Sequence, residues 1–204
     1  FRSGLNTGGM GAYSPAPVVT DEIHQRVMEQ VIYPTVKGMD QEGNRYQGFL
    51  YAGLMIDKAG NPKVIEFNCR FGDPETQPIM MRLQSDLVAL CLAGAKGELA
   101  GKDSLWDERP ALGVVIAAGG YPGDYHNGDV ISGLPTTEAA DSKVFHAGTR
   151  MKDGEVVTAG GRVLCVTALG NDIAKAQAKA YEVAKTIHWN DSFYRNDIGY
   201  RAKI

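Results

Sequence analysis

Hydrophobic and polar positions recur along this chain with two different periods. Between residues 20 and 40, Ile23, Val27 and Val31 repeat every four residues, joined by Met28 and Ile32, which is the apolar stripe of a helix. Thr20 stands at the N-cap position, and Asp21 and Glu22 suit the positive N-terminal end. Pro34 is expected to kink or end this helix, and Gly38 to stop the turn after it. Residues 46–56 and 63–69 instead read as two strands of a hairpin, joined by Asp57-Lys58-Ala59-Gly60-Asn61 with Gly60 placed for positive φ. Helices are expected near 76–83 and 85–95, the second capped by Ser85 with Leu87, Leu90 and Cys91 on one face.

The polar segment AKGELAGKDSLWDERP then marks a boundary, beyond which the texture changes. LGVVIAAGG, KVFHAGT and RVLCVTALG are short β-rich runs, residues 158–162 (TAGGR) suggest a hairpin turn, and residues 171–188 a helix. That helix would bury Ile173, Ala176, Ala180, Val183, Ala184 and Ile187. The expectation is an α+β chain in two parts, residues 1–103 and 104–204, with the tail aromatics His188, Trp189, Phe193, Tyr194 and Tyr200 packed onto a sheet.

Composition narrows the function classes. With 44% hydrophobic and 22% charged residues, the chain has the balance of a folded protein. Glycine is in excess, 25 of 204 residues without a G-X-Y period, so the backbone must turn tightly or approach something closely at many points. A net charge of -3 and a pI near 5.8 leave no basic footprint for nucleic acid or an anionic membrane surface, and neither partner is expected. There is no run of 18 apolar residues, and Phe1-Arg2-Ser3-Gly4 does not open a signal peptide, which points to the cytoplasm. Cys69, Cys91 and Cys165 have no metal spacing and sit in apolar runs, so buried, reduced thiols are expected. The four histidines are scattered, with no pairing that suits a metal. The chain starts without Met and runs straight into a glycine loop, which points to a fragment.

Candidate chemistry concentrates in Val64-Ile65-Glu66-Phe67-Asn68-Cys69-Arg70. Strand alternation would place Ile65, Phe67 and Cys69 on one face and Glu66, Asn68 and Arg70 on the other. Glu66 and Asn68 offer hard oxygen ligands two residues apart, suited to Mg²⁺ that keeps waters and shares phosphate oxygens. Arg70 beside them offers a planar cation for a phosphoryl or acyl-phosphate oxygen. A half-solvated strand explains the same alternation. Gly72 and Pro74 then set a sharp turn that holds Asp73 and Glu75 near one mouth, where Asp73 either caps the next helix or binds a ligand. Gly8, Gly9 and Gly11 after Thr7 form either a structural turn or a cradle of backbone N–H groups for phosphate, without a Walker lysine. The loop 119–125 (GGYPGDY) leaves the same alternatives open.

The run FNCRFGDPETQ, preceded by GFLYAGLMIDKAGNPKVIE and earlier by NTGGMGAYSPAP, resembles the phosphoribosylamine-glycine ligase family of ATP-grasp enzymes. AAGGYPGDY, KVFHAGT and TAGGRVLCVTALG fit the C-terminal part of that family in the same order. The resemblance implies a partial, C-terminal half of an ATP-grasp fold followed by a β-rich C-terminal domain. It implies ATP-dependent joining of glycine to 5-phosphoribosylamine through glycyl phosphate in purine biosynthesis, releasing ADP and phosphate. By position, Glu66 and Asn68 would hold Mg²⁺ or Mn²⁺ against the ATP phosphates. Arg70 would stabilise the transferring phosphoryl group, and Gly8, Gly9, Gly11, Asp73 and Glu75 would contact substrate or phosphate.

Two departures stand out. The register-equivalent of a further acidic ligand known in many ATP-grasp enzymes is Leu54, and SGLNTGG stands where Gly-Pro-Asn is expected before the glycine loop. The family's N-terminal half, with its nucleotide-holding lysines, is the expected partner of this chain, which alone is expected to lack ligase activity. Rival readings are another ATP-grasp carboxylate-amine ligase or carboxylase, and a non-catalytic fragment.

Overall fold

The computed structural model describes residues 7–137 and 139–202, so the departure at Leu5 and the residues before it lies outside the described residues. The element order begins β1 (Gly11–Ser14), α1 (Asp21–Val27), a π-helical segment (Met28–Ile32), α2 (Tyr33–Gln41), β2 (Tyr51–Ile56), β3 (Pro62–Asn68), α3 (Thr76–Arg82) and α4 (Leu87–Lys96). It continues with β4 (Ala111–Ala117), β5 (Ser142–His146), β6 (Thr149–Lys152), β7 (Glu155–Thr158), β8 (Arg162–Leu169), α5 (Ile173–Ala184) and a 3₁₀ turn (Tyr200–Ala202). Two compact units result, interleaved along the chain. One comprises Phe1–Ser14, Asp73–Arg82 and Asp107–Ile204, the other Pro15–Gly72 and Leu83–Trp106.

The first unit is built on an antiparallel sheet of order β1-β4-β8-β5. Every residue of β4 and all but Arg162 of β8 are buried, which is why ALGVVIA and VLCVTAL read as unbroken apolar runs rather than alternating ones. Both faces are covered. On one, Leu112, Val114 and Ala168 meet Ala176 and Ala180 of α5, whose small side chains at four-residue spacing let the helix lie close to the strands. On the other, Gly113 leaves room for Pro78 of α3, since a Cβ there would lie 3.4 Å from Pro78 Cγ and 3.0 Å from Cys165 Sγ. Burial pushes the Cys165 thiol up to about 12, so it stays protonated in the core. Asp172 caps α5 by accepting from the Lys175 N–H at 2.7 Å, and the helix ends at Ala184, shorter than its sequence period suggests, while Ile187 remains in the core beyond it.

Residues 158–162 do not close a hairpin. β7 pairs with β6 in a separate ribbon while β8 joins the large sheet, so TAGGR carries the chain from one sheet to another. The hairpin turn is Asp153-Gly154, with φ of 50° and 84° and Lys152 opposite Glu155, the two-residue geometry that an Asp-Gly pair favours. Trp189 is buried as expected of the tail, but Tyr200 is exposed.

An ionic cluster ties the loops before β4 and β5 to α5: Arg109 bonds Asp107 at 2.7 Å and Asp141 at 2.8 Å, and Lys179 reaches Asp141 at 3.2 Å. The hydrogen bonds from Arg109, joined at Asp141 by one from Lys179, hold both carboxyls below their ordinary value.

The second unit has little core of its own. Thr20 accepts from the Ile23 N–H and caps α1, as its sequence position indicates. Pro34 does not end the helical run: a π-helical turn, with the Tyr33 N–H bonded to Met28 O, precedes it, and Pro34 falls in the first turn of α2, where its missing N–H is least needed. Gly38 lies inside α2, which runs on to Gln41. Ser85 is not the cap of α4. Asp86 takes that place by accepting from the N–H groups of Val88 and Ala89, and Ser85 Oγ accepts from Leu105 N instead. The β2–β3 turn is closed by Asp57, whose carboxylate accepts from the N–H groups of Ala59 and Asn61, with Gly60 at φ 78°. Among the described residues, only Val31 and Ala93 of this unit are buried hydrophobics. Cys69 and Cys91 are exposed, contrary to expectation, because the apolar runs around them have no cover here.

Leu164, fully buried against α5 and its neighbours, is the test of the first core. Leu164→Ala is expected to cost about 2–5 kcal/mol in urea unfolding, against less than about 0.5 kcal/mol for Val88→Ala on the exposed face of α4. The ionic cluster gives a pH signature. Asp107 and Asp141 titrate lower folded than unfolded, so their contribution is complete above the unfolded value near pH 4 and is lost as pH falls through the folded values. Asp141→Asn is therefore expected to flatten the acid limb of a stability profile taken between about pH 5 and pH 2.

Candidate functional site

Glu66 and Asn68 lie on the last regular stretch of β3, two residues apart and so on one face of the strand. Opposite Glu66 stands Gly53 rather than Leu54. A β-bulge between Gly53 and Leu54 leaves Ile65 without a partner, and counting across the hairpin without it shifts the register by one. Gly53 leaves room for the carboxylate, since a Cβ there would lie 3.0 Å from Glu66 Cγ; a further acidic side chain at that position would crowd Glu66. Among the described residues no hydrogen bond or ion pair engages either side chain, and no cluster of three or more His, Cys, Asp or Glu gathers anywhere. Two oxygen donors suit a cation that completes its shell with water and phosphate, not one needing an all-protein cage.

Arg70 lies beyond the end of the strand, and its guanidinium donates to the Phe71 carbonyl at 2.8 Å. The face expected to be buried is not: Ile65 is 65% exposed and Phe67 42%, and Met55 on β2 is 60% exposed.

In the first unit the turn after Gly72 is held by a residue from β8. Asp73 does not cap α3. Its Oδ2 accepts from Arg162 Nη2 at 2.9 Å, and its carbonyl from Arg162 Nη1 at 2.8 Å. The same Nη1 donates to the Gly9 carbonyl at 3.1 Å, so one guanidinium clasps the cis Asp73–Pro74 turn and the glycine loop together. The Tyr121 hydroxyl accepts from the Gly8 N–H at 3.1 Å, which gives the 119–125 loop a structural task. Glu75 contributes its carbonyl to the first turn of α3. Gly9 and Gly11 are required by packing: a Cβ at Gly9 would lie 2.4 Å from Pro74 Cδ, and one at Gly11 2.6 Å from Ile198 Cγ2. Sequence reading missed Arg162 and Tyr121, whose partners lie 89 and 113 residues away. A cavity of about 350 Å³ lies along the loop, lined by Thr7, Gly8, Gly9 and Gly11 and, from the C-terminal segment, by Arg195 and Arg201.

The profile of the phosphoribosylglycinamide synthetase ATP-grasp (A) domain matches residues 2–76, and that of the phosphoribosylglycinamide synthetase C domain residues 111–201. The chain is 72% identical over 201 residues to a phosphoribosylamine–glycine ligase of Escherichia coli O6:H1, covering 98% of this chain and 47% of that protein. It is 68% identical over 200 residues to the ligase of Vibrio parahaemolyticus, with the same coverage. The crystal structure of the Thermotoga maritima ligase superposes with a TM-score of 0.79 at 38% identity, over 96% of this chain and 47% of that one. The biotin carboxylase domain of a Hydrogenobacter thermophilus 2-oxoglutarate carboxylase shares the fold, with a TM-score of 0.63 at 16% identity over 95% of this chain and 43% of that one. The chain thus spans about half the length of the curated relatives it matches. Among the described residues, no helix is long and apolar enough to cross a membrane.

The packing at the glycine loop predicts an order of tolerance. Gly9→Ala meets the rigid ring of Pro74 and is expected to cost about 1–3 kcal/mol in chemical unfolding. Gly8→Ala meets only the ends of the Tyr121 and Arg162 side chains, at 3.0 and 3.1 Å, and is expected to cost less.

Proposed function

Since this chain belongs to the phosphoribosylglycinamide synthetase family, we propose that it is part of an ATP-dependent ligase joining glycine to 5-phosphoribosylamine. The glycine carboxylate takes the γ-phosphoryl group of ATP to give glycyl phosphate and ADP. The amine of phosphoribosylamine then attacks the acyl carbon and phosphate leaves. The observation that carries this reading is the Glu66–Asn68 pair, two oxygen donors on one strand face without a protein partner. Glu66 and Asn68 would hold Mg²⁺ or Mn²⁺, which would neutralise phosphate charge when bound, and Gly53 keeps the space beside Glu66 clear. Arg70, tethered to the Phe71 carbonyl through one nitrogen, keeps the rest of its fork for the phosphoryl oxygens. Gly8, Gly9, Gly11, Asp73 and Glu75 contribute to substrate or phosphate binding, with Asp73 acting while held by Arg162.

On this reading the remaining half of the ligase is the partner of this chain, which alone has no ligase activity, and the domain boundary lies at 103/104, in the gap between the two profile matches. Exposed Met55, Ile65 and Phe67 fit a hairpin that the rest of the ATP-grasp domain covers. The enzyme works in the cytoplasm.

In the full-length ligase carrying this sequence, ADP release is expected to require both glycine and phosphoribosylamine. Glu66→Ala should lower it by more than about 100-fold, and glycine-independent turnover, or unaltered turnover in the variant, would contradict the assignment. Hydrogen exchange of the β3 amides is expected to be slower in the full-length protein than in these 204 residues alone; equal rates would rule out cover by the missing half.

A further inference from the structure

The cavity along the glycine loop has a second wall that the reading above leaves without a task. Tyr200 is 54% exposed, although the tail aromatics were expected to pack inward. Both arginines of the wall differ in their pairing. Arg195 lays its fork on Asp197 at 2.8 and 2.6 Å, which matches its charge. Arg201 donates Nε to the Tyr200 hydroxyl at 2.8 Å and lies 5.4 Å from the Tyr200 ring centroid. No carboxylate among the described residues engages it, so its two terminal nitrogens remain for an anion. The same cavity is lined by Thr7, Gly8 and Gly9, without a side chain at two of these three positions, and by Asp197, the carboxylate that Arg195 holds. Met10, Tyr13 and Ile198 add apolar surface to the same cavity.

A single unmatched guanidinium beside a mainly backbone wall and a small apolar floor is suited to one phosphate monoester on a compact sugar. A triphosphate would need more cation than this. The volume, about 350 Å³, falls at the small end of ligand sites, which run from about 300 to 1,000 Å³. We propose that this cavity binds the phosphate group of a pentose 5-phosphate, with Arg201 as its anchoring cation and Tyr200 as the residue that positions Arg201. The proposal rests on the ligase reading for the identity of the sugar phosphate, while the cavity and its charge do not.

Calorimetric titration of this chain separates the sources of phosphate. Ribose 5-phosphate is expected to bind saturably and ribose not at all. Arg201→Gln should weaken ribose 5-phosphate by about tenfold or more, Arg201→Lys by less, and neither should change the affinity for ADP. Absence of ribose 5-phosphate binding, equal binding by Arg201→Gln, or displacement of ribose 5-phosphate by ADP would each overturn the proposal. In the full-length ligase, Arg201→Gln should raise KM for phosphoribosylamine by about tenfold while KM for ATP and glycine stays within about twofold. An active enzyme with KM for phosphoribosylamine unchanged in the variant would overturn the cavity assignment and leave the ligase reading standing. A wild-type protein without glycine-dependent ADP release would remove the ligase reading, and the titration of this chain would still decide the cavity.

Discussion

The antiparallel ladder between β4 and β8 is the constraint on which the first unit depends. Both strands are buried on both faces, so neither can slip by one residue without moving Leu112, Val114 and Leu164 away from α5. That fixed register decides what meets at one end of the sheet. Ala117 pairs with Arg162, and Val115 donates to the Met10 carbonyl, so the start of β8, the loop after β4 and the glycine loop before β1 converge. Arg162 therefore has the cis-proline turn and the Gly9 carbonyl within reach of one guanidinium. Its place at the only unburied position of β8 allows a charged group there without the cost of burying it in the core.

The second unit obeys an opposite constraint. Its hairpin carries the two oxygen donors proposed as metal ligands, a role that needs them held still, yet a two-stranded ribbon with an uncovered apolar face is marginal by itself. The devices that steady it locally are visible: the Asp57 turn, the bulge at Ile65, and Arg26, which bonds the Ala59 carbonyl at 2.9 Å. None of these buries Ile65 or Phe67. On the proposed ligase reading, the rest of the ATP-grasp domain would supply the cover that this element lacks.

Much of the fold was legible because its signals are local. Thr20 before an acidic turn, Gly60 in a five-residue loop and alanines at four-residue spacing in α5 each act through neighbours within a few residues, and each holds. The failures have physical causes of two kinds. Some were local competitions decided by detail, as when Asp86 rather than Ser85 captured the α4 N-terminus, or when a π turn let the helix run through Pro34. The Asp153-Gly154 pair makes the hairpin turn, whereas the glycines of TAGGR serve a crossing between sheets. The others were long-range. The i, i+2 spacing of Glu66 and Asn68 survives folding because the bulge falls before them, whereas the partner of Asp73 lies 89 residues on, where no local pattern points to it. Burial of Cys69 and Cys91 failed for a related reason: apolar sequence indicates a need for cover, and cover is a property of what packs there.

The glycine excess divides along the same line. Gly60, Gly97 and Gly154 supply left-handed backbone at turns and caps. Gly9 and Gly11 do something else, because their φ values are ordinary and the obstruction to a side chain is Pro74 in one case and Ile198 and the Gly113 carbonyl in the other. Close packing of the loop favours the proposed anion site beside it. It fixes the backbone before any ligand arrives, so a phosphate would meet a wall already held by Arg162, Pro74 and Tyr121 rather than one it must order at an entropic cost. The proposed site needs a cation that is free to engage, and of the two arginines lining the cavity among the described residues Arg201 meets that condition: Arg195 would have to leave Asp197, whereas Arg201 would keep its hydrogen bond to Tyr200 and still present two nitrogens.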